Sequence, residues 1–171
     1  SDLANLSPLM ASLFSDRKLS LDDLQEIRAN EYPPRPLCPC CEENAKQRAL
    51  HASIHPLFDI LMEYTRRPDM LQVRVISPFA DLSVPLQPYQ VEVNNGIITA
   101  IDKDHTSAFH IDVRYLHAMR IKQVNLDGTS YAMLIGYDSF GTELFHLASP
   151  RATDVDEWTR CCEWSKQFFT R

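Results

Sequence analysis

Apolar positions recur at helical spacing up to about residue 70 and at every second position from Leu71 to Ala148. Leu9, Met10, Leu13 and Phe14 mark a short helix. Ser20 precedes Leu21, Leu24 and Ile27 at the spacing of a second, and Asp23, three residues on, completes a capping-box start. Both would bury one stripe and leave charges outside. Four prolines from Tyr32 to Pro39 exclude helix there, because proline lacks the amide donor and restricts the residue before it. The stretch reads as an extended linker ending at a group of cysteines. A third helical region runs from Glu42 to Tyr64, with Ala45, Ala49, Leu50, Ile54, Leu57, Phe58 and Leu61 on its apolar face. Pro56 divides it, and Ser53 is placed to cap the second piece.

The period-two segments are Leu71 to Ile76, Tyr89 to Asn94, Ile97 to Ile101, Phe109 to Val113, Met119 to Gln123, Tyr131 to Tyr137 and Leu144 to Ala148. Asn95-Gly96 and Asp127-Gly128 are tight hairpin turns, and Asp138 to Gly141 joins the last two strands. Thr153 caps a final helix with Val155, Trp158, Cys162 and Phe169 inward. The strands lie too close together for parallel crossovers. The expectation is therefore α+β: N-terminal helices, a large antiparallel β-sheet of about seven strands, and a C-terminal helix. Residues 1–41 would hold the N-terminal helices and the Pro/Cys-rich linker, and residues 42–171 the α+β domain.

Composition narrows the function more than the fold. The 171 residues are 44% hydrophobic and 23% charged, enough for one core without disulfides. The formal charge of −6 divides evenly, −3 over residues 1–70 and −3 over 71–171. No basic cluster exists to follow a nucleic-acid backbone. No apolar run approaches the roughly 20 residues that span a bilayer. The five cysteines stand in two tight groups, Cys38, Cys40, Cys41 and Cys161, Cys162. With no secretion signal, that clustering points to a reducing cytoplasm. Cys161 and Cys162 read as helix core residues.

Few residues suggest chemistry. Phosphate-binding, nucleophile-elbow and zinc-protease motifs are absent, and no catalytic set is visible, so an enzyme is not indicated. Cys38 and Cys41 have C-x₂-C spacing, and His51 and His55 stand four apart, as two imidazoles on one helix face would. Two thiolates and two imidazoles make a tetrahedral zinc set. Cys38-Pro39 also offers a thiolate of the kind that ligates haem iron. His110 and Asp112 share the face of their strand opposite Phe109, Ile111 and Val113, which is either a solvated face or a cleft wall. His117, Arg120 and Lys122 follow on the next strand and could meet carboxylates. Asp102, Asp104 and His105 read as a polar turn.

The segments FHIDV (109–113), AMRIKQ (118–123), DGTSYAMLIGYDSFGTELFHL (127–147) and DVDEW (154–158) resemble the haem-utilisation family of HemS and ChuX/HutX type. The resemblance implies an α+β fold with helices backing a large antiparallel sheet. It implies a cytoplasmic bacterial protein that binds haem, stores, delivers or degrades it, and pairs as a homodimer. It makes His110 the axial candidate and places Arg120 and Lys122 near the haem carboxylates. The family's glycine- and proline-rich approach to the short strand is replaced here by Asp102-Lys103-Asp104-His105. The alternative is a non-haem interaction or regulatory module of the same fold, carrying zinc at Cys38, Cys41, His51 and His55. The strand at 71–76 has one interior charge and no proline, so it reads as a poorly guarded edge. The hairpin at 131–148 is apolar on both faces and calls for cover, from the N-terminal helices or a second copy.

Overall fold

Cys38 and Pro39 set the start of helix α1 (Pro39–Leu50). Cys38 is the extended N-cap residue, its Sγ accepting from the Cys41 amide at 3.4 Å, and Pro39 fills a position where no amide is needed. The helix thus begins before the expected Glu42. The structure is a computed structural model; it describes residues 37–77 and 80–169, with side chains as far as Glu163. The expected helices at Leu9 to Phe14 and after Ser20, most of the proline stretch and the Phe169 side chain lie outside the described residues.

α1 ends at His51, and a 3-10 turn over Ala52–Ile54 leads to α2 (Pro56–Tyr64). His55, not Ser53, caps α2. Pro56 opens the helix, which makes the residue before it the cap, and the His55 Nδ1 accepts from the Leu57 amide at 3.2 Å.

Eight strands follow: β1 (Leu71–Ile76), β2 (Asp81–Leu86), β3 (Gln90–Asn94), β4 (Ile97–Ile101), β5 (Ala108–Asp112), β6 (Ala118–Leu126), β7 (Thr129–Tyr137) and β8 (Glu143–Ser149). All pairings are antiparallel, and α3 (Asp154–Phe169) closes the chain. The fold is α+β as expected. The strands divide between two sheets, β2-β1-β8-β7-β6 and β3-β4-β5. β1 lies between β2 and β8, so it is not the edge that its composition suggests. β2 takes that edge and carries Pro85, a residue tolerated where no ladder amide is required.

One core joins the layers. Leu71, Val73, Leu134, Phe145 and Leu147 come from the five-stranded sheet, and Ile98, Ala100 and Phe109 from the three-stranded sheet. Leu57, Leu61 and Tyr64 of α2 and Trp158 of α3 complete it. The Phe109 and Phe145 rings meet edge to face with centroids 5.2 Å apart, so the inner faces of the two sheets touch there. The expected turns form with positive φ at Asn95-Gly96 and Asp127-Gly128. Gly96 is needed twice over: its φ is +78°, and a Cβ would stand 2.7 Å from that of Ala49 on α1. Gly136 leaves room for Phe145 directly opposite, whose ring would lie 2.4 Å from an added Cβ.

Candidate functional site

Directly opposed residues of an antiparallel pair share a face, so register shows what stands on the side of the five-stranded sheet turned from the core. Arg74 of β1 opposes His146 of β8, His146 opposes Ile135 of β7, and Ile135 opposes Arg120 of β6. The next row runs Gln72, Ala148, Met133, Lys122. The two rows place the half-buried Met133 and Ala148, with Ile135 buried between the rows' ends, beside the exposed cations Arg120 and Lys122. On the far side of these apolar residues, the Nε and Nη2 of Arg74 donate to both oxygens of Asp81 at 2.7 and 2.5 Å. That fork holds the Asp81 carboxyl below its usual range. Among the described residues no carboxylate pairs with Arg120 or Lys122. The His146 Nε2 lies 2.8 Å from Glu143 Oε2, and its side chain is 14% exposed. The sequence pattern marks Phe145 and Leu147 as inward but does not single out His146 between them; its only signal is a titratable residue at the opposite parity of an otherwise apolar strand.

His110 stands elsewhere. It is exposed on β5, opposes Thr99 with Nδ1 and Oγ1 2.8 Å apart, and occupies the face turned from Phe109. The inner faces of the two sheets meet at Phe109 and Phe145. The outer faces carrying His110 and the Arg120–Lys122 pair are therefore turned away from that contact on different sheets. The three residues expected around one haem are not brought onto one face, because the chain changes sheets between β5 and β6.

The expected zinc set also separates. The Sγ atoms of Cys38, Cys40 and Cys41 all lie within 4.8 Å of one another, and no histidine among the described residues joins them. His51 is exposed at the end of α1, whereas His55 is buried at the start of α2. With the helix broken between them, their four-residue spacing no longer puts the rings on one helix face. Cys38 and Cys40 sulfurs are 2.9 Å apart. Hydrogen bonds from the Cys40 thiol, then from the Cys41 amide, hold the Cys38 thiol down at about 7. Cys41, hydrogen-bonded to Cys38, is pushed up to about 11. Burial, and secondarily the Arg48 charge, holds His55 down at about 4.

A buried polar network ties α2, β8 and α3 together. The Tyr64 and Ser149 hydroxyls both donate to Asp154 Oδ2, and Arg67 Nη1 donates to Asp154 Oδ1 at 2.8 Å. Arg67 Nη2 also reaches Glu157 at 2.7 Å. Burial would raise the Asp154 carboxyl, but these donors outweigh it and hold it low, while burial and the Asp154 bond push the Tyr64 phenol up. The tyrosine ring further stacks under Arg67 and tilts against Trp158. Every polar member is satisfied by another, so the network reads as structural. Beside it, Phe58, Asp59, Glu63, Arg66, Trp158 and Cys161 line a groove of about 430 Å³ between α2 and α3, sharing no residue with the rows on the outer sheet face. Cys161 packs on the core as expected, and Cys162 is half-buried.

Comparison with solved structures finds chains of similar fold. Holo-PhuS, a heme-binding protein from Pseudomonas aeruginosa, aligns with a TM-score of 0.50 at 11% identity, over 63% of this chain and 31% of that one. This chain thus matches about a third of the length of PhuS. A protein from Erwinia carotovora aligns with a TM-score of 0.49 at 11% identity, over 66% of this chain and 71% of its own. The heme-binding protein ChuX aligns with a TM-score of 0.47 at 12% identity, over 92% and 99%. At these identities the likeness is one of fold. No family model matches the chain, and no curated protein matches it. Among the described residues no helix is long and apolar enough to cross a membrane.

Proposed function

We propose that this chain binds haem and serves haem or iron utilisation or trafficking in the cytoplasm. The observation that carries the reading is the pair of cross-strand rows on the outer face of the five-stranded sheet: Met133 and Ala148 bordered by Arg120 and Lys122, with His146 in line. Haem is a flat apolar ring with two carboxylates along one edge. The half-buried Met133 and Ala148 suit the ring, and the two cations suit the carboxylates, Arg120 as a fork and Lys122 as a point charge. His146 offers an imidazole on the same face, oriented by Glu143 as outer carboxylates orient metal-binding histidines. Bound haem would supply the iron and its redox chemistry. The fold shared with PhuS, itself heme-binding, supports the same reading, and five free cysteines suit a reducing compartment. We further propose that residues 42–171 carry this role with 1–41 as an appendage, and that the chain pairs as a homodimer.

Haemin titration followed at the Soret band tests it. The chain should take up one haem. Arg120→Ala with Lys122→Ala should weaken binding about tenfold, the equivalent of one charge-assisted contact. His146→Ala should shift the Soret maximum, and His110→Ala should leave it in place. A shift with His110→Ala alone moves the haem to the three-stranded sheet. No Soret band in the unaltered chain overturns the haem reading and leaves a non-haem interaction module of this fold.

A further inference from the structure

We infer that Cys38, Cys40 and Cys41 form a binding site for one thiophilic metal cation, best matched by monovalent copper. Three sulfurs converge at one point of the surface, all within 4.8 Å of one another, with Cys38 and Cys40 exposed and Cys41 half-exposed. Their spacing is set by the backbone of one helical turn: Cys38 is the N-cap, and Cys40 and Cys41 lie in the first turn of α1. That turn is held in place from the other end of the helix. Arg48 donates from Nε to the Val113 carbonyl at 3.0 Å and from Nη2 to the Arg114 carbonyl at 2.8 Å, while Ala49 rests on Gly96.

A cation bonded to three sulfurs at about 2.3 Å sets them about 4 Å apart. The sulfurs here span a closest separation of 2.9 Å and an outer limit of 4.8 Å, so rotation about side-chain bonds alone reaches that value. Three soft thiolates complete the coordination of monovalent copper, whereas zinc asks for a fourth ligand, and no histidine or carboxylate among the described residues joins the group. The positive end of the α1 dipole offsets the negative charge that three thiolates bring. Binding forms three metal–sulfur bonds and releases to solvent whatever protons the three sulfurs still carry, with no electron transferred. The site uses neither His51 nor His55 and shares no residue with the outer sheet face, so it stands or falls apart from haem.

The full chain, reduced and kept free of oxygen, is titrated with monovalent copper against a chromophoric copper chelator, and separately with zinc against a chromophoric zinc chelator. One equivalent of copper should bind, with thiolate-to-metal absorption in the ultraviolet. Cys38→Ser, Cys40→Ser and Cys41→Ser should each weaken it by at least about tenfold, the loss that even an outer-shell change produces. His51→Ala and Cys161→Ser should bind as the parent does. Alkylation of the unaltered chain, followed by mass spectrometry, gives a check free of substitutions: copper should protect these three cysteines together. Undiminished binding by Cys40→Ser with loss in His51→Ala restores the four-ligand set and overturns the three-thiol site. Zinc retained where copper is not overturns the choice of ion, and a Cys38–Cys40 disulfide forming without protection by metal overturns the site altogether.

Discussion

His55 is at once a helix cap and a buried base, and the two roles share one nitrogen. Its Nδ1 accepts from the Leu57 amide, so a proton there would break the cap as well as bury a charge. In the unfolded chain the ring titrates at its ordinary 6.5; in the folded chain it is held near 4. Between these values the unfolded state binds the extra proton, and stability therefore rises with pH. Its contribution is complete above about 6.5, is lost as pH falls toward 4, and changes no further below that. The span corresponds to about 3 kcal/mol. Urea denaturation at pH 7, 5.5 and 4 should show this slope, and His55→Asn, which keeps a cap acceptor without a titrating ring, should flatten it. An equal slope in both proteins would assign the pH dependence to other groups. At this scale the sequence was legible where the signal is local. Asn95-Gly96 and Asp127-Gly128 announce their turns because positive φ is cheap for those residues. The cap at His55 was not, because Ser53 is the better capping residue by type and the helix starts only at Pro56, after the 3-10 turn.

At the scale of elements, period told helix from strand almost everywhere, since a buried stripe and a buried face impose different spacings on the chain. It could not tell which strands share a sheet. β3, β4 and β5 have the same alternation as β6, β7 and β8, and their separation is decided by which inner faces meet, at Phe109 and Phe145. The candidate site inherits that gap: Arg120 and Lys122 were legible as a same-face pair on one strand, but His146 joins them only through two registers, and His110 is excluded by the sheet division. What holds the elements together was likewise silent in the sequence. Asp154 comes after Thr153, the expected cap, yet its carboxylate is turned into the protein to meet Tyr64, Ser149 and Arg67. Tyr64→Phe should cost about 1 kcal/mol, since Ser149 and Arg67 still satisfy the acid. Asp154→Ala should cost about 3 kcal/mol, since it leaves a buried phenol and a largely buried guanidinium short of an acceptor. Chemical denaturation of both variants checks the order, and equal losses would mean that the tyrosine hydroxyl dominates the network.

For the whole molecule, the edges of the large sheet are guarded in two ways. β2 carries Pro85 and the exposed Arg74–Asp81 ion pair lies across its pairing with β1; β6 carries Arg120 and Lys122. Charge and proline at edges discourage strand-to-strand association, so the proposed homodimer would not form by joining the edges of the large sheet. Light scattering at micromolar concentration should give twice the 19.6 kDa of the chain. A mass of one chain that does not change on concentration would overturn the homodimer. The pairing of β1 with β8 has a consequence in time as well as in space. Val73 finds Leu147 only after the whole three-stranded sheet and two further strands have been made. During synthesis the β1–β2 hairpin therefore waits with an unpaired inner edge until β8 emerges, and the loop closed by that contact is long. The two pairings that close the large sheet, β1–β8 and β7–β8, are thus made last among its strands, when β8 enters between β1 and β7 and α3, which follows it directly, can seat Trp158 on the finished core.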